Sequence, residues 1–181
     1  VNLSLTNYTL TYNGNGGTLP DSSTSYSLSK ENGVAFNVDG NTFAKSGYYF
    51  LGWSPTDTIP AGSTENNTFT ANWEKKTDLT LTANGASVTY NGKEQSVSGF
   101  TSDIDGLTFE NVTAGAKGTK AGEYTASFAN QSGLVIKDGT GTDVTERYAV
   151  TFVPAKLTIA KAELTITATN RSMTYGRTNT L

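Results

Sequence analysis

LTLTANGASVTYNG, residues 79–92, returns near the end of the chain as LTITATNRSMTYG, residues 164–176. The two align without gaps at an offset of 85 (164 minus 79), with Leu, Thr, Thr, Ala, Ser, Thr and Tyr in the same places. Self-similarity at a fixed period is the signature of a repeat array. The given sequence ends at Leu181, just inside this second copy, and Val1 is not an initiator Met. We therefore expect a piece of a tandem array: one β domain over 1–75, a second over 76–160, and the first strands of a next repeat over 161–181.

Composition narrows the classes. Hydrophobic residues make up 35% and charged residues 16% of the 181, the balance being rich in Thr, Ser, Asn and Gly. That mixture favours strands joined by turns. The net charge is −3 with no Lys/Arg run, so nucleic acid is a poor partner, because phosphate binding depends on clustered positive charge. The absence of Cys and His excludes thiolate and imidazole zinc sites and Cys–His or Ser–His catalysis. Disulfides cannot staple the domains, so the β core must hold them. No apolar run approaches the roughly 20 residues of a membrane-spanning helix, and membrane insertion is not expected.

In the first region, YTLTYNGNGG (8–17) alternates: Tyr8, Leu10 and Tyr12 point one way, Thr9 and Thr11 the other. This is the pattern of a half-buried strand entering a Gly/Asn turn. GYYFLGW (47–53) is denser and reads as a central strand covered on both sides. Tyr48 and Phe50 then lie on one face, and Tyr49, Leu51 and Trp53 on the other. NTFTANW (67–73) alternates again, with Phe69, Ala71 and Trp73 inward. STSYSLS and VAFNV read as further strands, and the loop from Pro55 to Pro60 has room for one helical turn.

A Thr-rich strand ending in NGNGG, then GYYFLGW, then a closing TFTANW resembles the internalin B-repeat, also called the Listeria–Bacteroides repeat, over roughly residues 7–74. The segment from Ser22 to Asn41 departs from that pattern. The resemblance implies a small β-grasp-like sheet.

In the second region, GEYTASFA (122–129) places Tyr124, Ala126 and Phe128 inward, and RYAVTFVPAKLTIAK gives two strands broken at Pro154. Short strands with frequent Gly and Asn between them suggest a β-sandwich. The run VTYNGKEQSV, GTKAGEYTASF, DGTGTDVTERYAVTFVPAKLTI is similar to the bacterial immunoglobulin-like repeats of large surface proteins, the MBG group among them. The fold class expected is thus mainly β: a β-grasp-like domain followed by an immunoglobulin-like β-sandwich in an elongated tandem arrangement.

Each stretch with chemical potential has a plainer reading. NGNGG invites a phosphate loop, but such loops need a following helix N-terminus, and TLPDSST has no helical pattern. DGTGTD (138–143) looks like a calcium loop, yet Thr140 and Thr142 occupy the odd positions and the EF-hand spacing fails. Asp103 with Asp105, or Asp143 with Glu146, offers paired carboxylates for glycoside hydrolysis, without an aromatic cleft in the pattern. Trp53 and Trp73 offer rings for sugar stacking, but both sit at inward positions. Sequons at Asn2, Asn7, Asn66, Asn111, Asn130 and Asn170 arise by chance in an Asn/Ser/Thr-rich chain. Lys76, Lys93 and Lys156 stand near strand starts, where a Lys–Asn cross-link beside a buried acid is conceivable. We assign no catalytic, cofactor-binding or metal-binding residue, no cofactor and no enzymatic activity.

What the resemblances imply is a non-catalytic stalk segment of a multidomain bacterial cell-surface protein or adhesin, extracellular and held at the cell surface or cell wall. Its partners would be neighbouring repeats of the same chain. The alternative is an adhesion module that binds a host protein or glycan directly. The segment LTITAT (164–169), with Leu164, Ile166 and Ala168 on one face, is expected to be mobile or to pair with a sheet edge in its own or a neighbouring molecule.

Overall fold

The computed structural model describes residues 7–30, 36–37, 42–55, 58–59, 67–170 and 175–176. The chain is mainly β. Its first six strands are β1 (Tyr8–Asn13), β2 (Ser25–Lys30), β3 (Phe36–Asn37), β4 (Tyr48–Ser54), β5 (Thr58–Ile59) and β6 (Asn67–Lys75). A four-stranded sheet has the order β2–β1–β6–β4. Its two central strands, β1 and β6, run parallel, with Leu10 opposite Asn67 and Asn13 opposite Thr70. Among the described residues of this region no helix packs on the sheet.

The alternation in the sequence becomes the core. Tyr8, Leu10, Tyr12, Phe69 and Ala71 are buried, joined by Phe43 and Trp53. Tyr12 is the hub: its ring stacks on Tyr26 at 4.6 Å and on Phe69 at 5.4 Å and meets Trp53 edge-on at 5.2 Å. Aromatic pairs at such distances add about 0.5–1.5 kcal/mol each beyond their burial. The opposite face of β1 and β2 carries hydroxyls, with Thr11 and Ser27 hydrogen-bonded across the strands at 3.1 Å.

Three expectations for this region need correcting. β4 is an edge strand, not a central one, and Leu51 on it is 58% exposed. Its face pattern also differs. A bulge between Phe50 and Gly52 shifts the register, so Trp53 joins the face of Phe50 rather than opposing it. Within the Pro55–Pro60 loop, Thr58–Ile59 pairs antiparallel with Phe36–Asn37 instead of forming a helical turn. The rest of VAFNV and the Asn2 and Asn66 sequons lie outside the described residues.

A single residue, Lys76, separates β6 from β7 (Thr77–Ala83). There follow β8 (Ala86–Thr89), β9 (Gln95–Ser98), β10 (Phe100–Ser102), β11 (Thr108–Glu110), β12 (Thr113–Gly118), β13 (Gly122–Ala129), β14 (Val135–Lys137), β15 (Tyr148–Val153) and β16 (Ala155–Ala160). Short 3₁₀ turns occupy Gln131–Gly133 and Thr145–Arg147. The sheets are β10–β7–β15, β8–β16–β13–β12–β9 and the pair β11–β14, an arrangement consistent with a β-sandwich. β7 and β8 belong to different sheets although only two residues part them. β15 and β16, broken at Pro154, switch sheets in the same way.

Between the sheets lie Leu79, Leu81 and Ile136, all fully buried, with Val112, Leu134 and Val144. A chain of rings crosses the core from Phe152 on β15 through Phe128 on β13 to Phe100 on β10, at 4.9 and 5.4 Å. The buried residues of the first region and those of the second form separate clusters. Residues 161–170 enter no strand among the described residues, with Leu164 83% and Ile166 84% exposed. The expected pairing with an edge of the same chain is therefore absent there. No helix among the described residues is long and apolar enough to cross a membrane.

Candidate functional site at the junction

A concave surface lies where the first four-stranded sheet meets the second region. It is lined by Thr18 just after the NGNGG turn, the segment leading into β4, Trp73, Lys76, and Glu146, Tyr148 and Ala149 at the start of β15. Asn13 accepts the Asn15 backbone N–H at 2.8 Å, and the Asn15 side chain donates to the Ala71 carbonyl at 2.9 Å. These bonds close the turn back onto the sheet. A Cβ at Gly17 would lie 2.7 Å from the Trp73 ring, and one at Gly14 would lie 2.5 Å from Phe43. The glycines of this loop thus let backbone approach aromatic side chains. No helix follows, and the loop is a packing device rather than a phosphate cradle.

Trp73 is held by the same loop: its indole N–H donates to the Gly14 carbonyl at 2.7 Å. The two tryptophans part company here. Trp53 is buried, 7% exposed, and Trp73 is only partly buried, on the wall of the groove. Beside it the Lys45 ammonium sits 4.6 Å over the Tyr48 ring and donates to the Asn15 carbonyl at 3.2 Å.

The groove has a volume of about 690 Å³, with Lys45, Tyr48 and Trp73 on one wall and Lys76, Glu146 and Tyr148 on the other. A second hollow of about 600 Å³ lies between β4 and the turn Thr145–Arg147. Three interactions brace this region. The Lys76 backbone N–H donates to the Gly47 carbonyl at 2.8 Å, and its ammonium lies 3.7 Å from Glu146. The Tyr49 hydroxyl donates to Glu74 at 2.5 Å. This bond, with desolvation and the charge of Glu74, raises the phenol above the usual tyrosine value, against a smaller opposing pull from Arg147. The groove offers aromatic faces, two amines and a carboxylate. Its ionic groups are already engaged with the protein itself.

The other sequence candidates are spread over the surface rather than brought together. In DGTGTD, the Asp138 carboxylate accepts the hydroxyl of Thr140 and the backbone N–H groups of Thr140 and Thr142 at 2.6, 2.9 and 3.1 Å. These bonds hold its pKa below the ordinary aspartate value. Asp143 is lowered likewise by the hydroxyl and N–H of Thr145. The loop satisfies its own carboxylates, and no group of three or more metal-ligating residues occurs among the described residues. Asp103 accepts the Thr80 backbone N–H at 2.8 Å and so anchors β7 rather than pairing with Asp105. Lys156 pairs at the surface with Glu123 at 2.6 Å. No polar or charged residue is buried among those described, and Lys76 lies beside Glu146 at 3.7 Å.

Sequence reasoning missed the groove because its walls come from residues about 100 positions apart, Lys45 to Tyr148. No protein-family model matches the chain, and no curated protein is significantly similar to it.

Proposed function

We propose that the chain is a structural spacer: a β-grasp-like module over 1–75 and an immunoglobulin-like sandwich over 76–160, arranged in tandem within the stalk of a bacterial cell-surface protein. The observation that carries this reading is the junction. Two separate apolar cores are joined by the single residue Lys76, whose backbone is bonded to Gly47 and whose side chain reaches Glu146. Modules that each bury their own core and touch only their neighbours build a quasi-one-dimensional rod, and so short a link leaves little freedom to swivel. Ser/Thr-lined outer strands and self-satisfied loops fit a segment that spaces rather than reacts.

A second reading, direct adhesion to a host protein or glycan, is favoured by the aromatic rings and amines of the junction groove. One experiment separates the two. The purified chain is screened against glycans and extracellular-matrix proteins, and small-angle scattering measures its maximum dimension. An elongated particle without saturable binding supports the spacer. Saturable micromolar binding that is lost in Tyr48→Ala or Lys45→Ala establishes the adhesion module instead.

A further inference from the structure

The order of parallel pairings has a mechanical meaning. In the first module the opening strand β1 and the closing strand β6 are adjacent and parallel over Leu10–Asn13 and Asn67–Thr70. Tension along the chain pulls β1 backward from Tyr8 and β6 forward from Lys75. Neighbouring parallel strands pulled from opposite ends slide along each other, so all the hydrogen bonds between them are strained together. An antiparallel pair pulled from one end instead peels open bond by bond.

The second module repeats this plan twice. Its opening strand β7 runs parallel to β15 through six register pairs, from Thr77 opposite Tyr148 to Val153 opposite Thr82. After both arms change sheet, β8 runs parallel to β16 through four, from Ala86 opposite Leu157 to Thr89 opposite Ala160. The arm that enters at Thr77 and the arm that leaves at Ala160 are thus laced in parallel across both sheets. One face of this lacing is apolar and closed: Leu79, Leu81 and Leu157 are fully buried and Ile159 is 2% exposed, while the alternate residues, Thr82, Ser87 and Thr151 among them, face outward.

We propose that both modules are shear clamps, built to carry tension between their ends without lengthening. This deepens the spacer reading with a function that spacing alone does not require. Lys76 completes the series connection, because its N–H bond to Gly47 prolongs the β4–β6 ladder to the first residue before β7.

Single-molecule force spectroscopy tests this on one unaltered fold. The chain has no native Cys, so introduced thiols define the pulling points. Handles at Val1 and Leu181 load both clamps in shear. Handles at Asn7→Cys and Lys30→Cys open the antiparallel β1–β2 pair, in which Tyr8 lies opposite Lys30. Handles at Lys120→Cys and Lys161→Cys likewise open β13 from β16, where Gly122 lies opposite Ile159. The expected result is two end-to-end ruptures, identified by the lengths they release, each several-fold stronger than rupture of the same module in the peeling geometry. End-to-end ruptures no stronger than peeling overturn the proposal. That result leaves the spacer reading intact if scattering shows a rod and the binding screen is silent, whereas saturable binding sinks the spacer without altering the rupture forces.

Discussion

Phe50 and Trp53 lie three residues apart on one strand, yet their rings meet edge-on at 5.2 Å on the same side of the sheet. Strict alternation would send them to opposite faces. The bulge between Phe50 and Gly52 supplies the missing half-turn, and Gly52 adopts φ 140° to make it.

Trp53→Ala removes a buried ring and its contacts with Tyr12 and Phe50, and is expected to cost about 3–5 kcal/mol of first-module stability. Gly52→Ala has open space around its Cβ and should cost about 1–3 kcal/mol from backbone strain alone. Urea unfolding followed by tryptophan fluorescence measures both. An unchanged midpoint for Gly52→Ala would show that the bulge relaxes without strain.

Gly17→Ala drives a methyl to within 2.7 Å of the Trp73 ring and 3.1 Å of the Gly14 carbonyl. Overpacking of this kind costs about 1–3 kcal/mol. A shifted Trp73 emission should accompany the loss, because the indole would be pushed off the Gly14 carbonyl. Loss of stability with unaltered emission would place the strain elsewhere in the turn.

The two similar stretches 79–91 and 164–176 should respond differently to the same truncation. Leu81 is fully buried between the sheets and Ile166, its counterpart, is 84% exposed. Leu81→Ala should cost about 2–5 kcal/mol, and Ile166→Ala less than about 0.5 kcal/mol. Calorimetry of the whole chain compares them directly, and a large effect at Ile166 would mean that residues 164–169 are packed in solution.

Asp138 and Asp143 have carboxyl pKa values lowered by hydrogen bonds to Thr140, Thr142 and Thr145. A lowered folded value gives stability that is present above the unfolded aspartate pKa, about 3.9. That stability is lost as pH falls through the folded value. The advantage of the parent chain over Asp138→Asn should therefore be constant above about pH 5 and fade below about pH 4 in urea titrations. With no His and no Cys, side-chain titration leaves stability flat between about pH 5 and 8. A midpoint that drifts strongly in that range would contradict this account.

The strands with regular alternation were legible: β1, β6 and the break between β15 and β16 at Pro154 follow the sequence pattern, because burial on one face writes a period of two into the residues. β4 was not, for two physical reasons. A bulge changes the period in mid-strand, and density of apolar residues does not distinguish a strand buried by two neighbours from one flanked by another module. Trp73 was placed inward correctly, but its partial exposure depends on the groove, whose far wall is supplied by Tyr148. Parallel pairing was equally silent in the sequence, since β1 meets β6 and β7 meets β15 only after the intervening chain has folded.

The bulged β4 edge has one more consequence. An exposed strand edge is a template on which another chain can grow, and crowding many copies together invites sheets to merge. At Phe50–Gly52 the ladder is interrupted, and the turn Thr145–Arg147 stands across the hollow from Leu51. An incoming strand would find its hydrogen bonds out of step and its path obstructed. The irregularity that hides Trp53 is thus the kind of feature that disfavours strand addition along this edge.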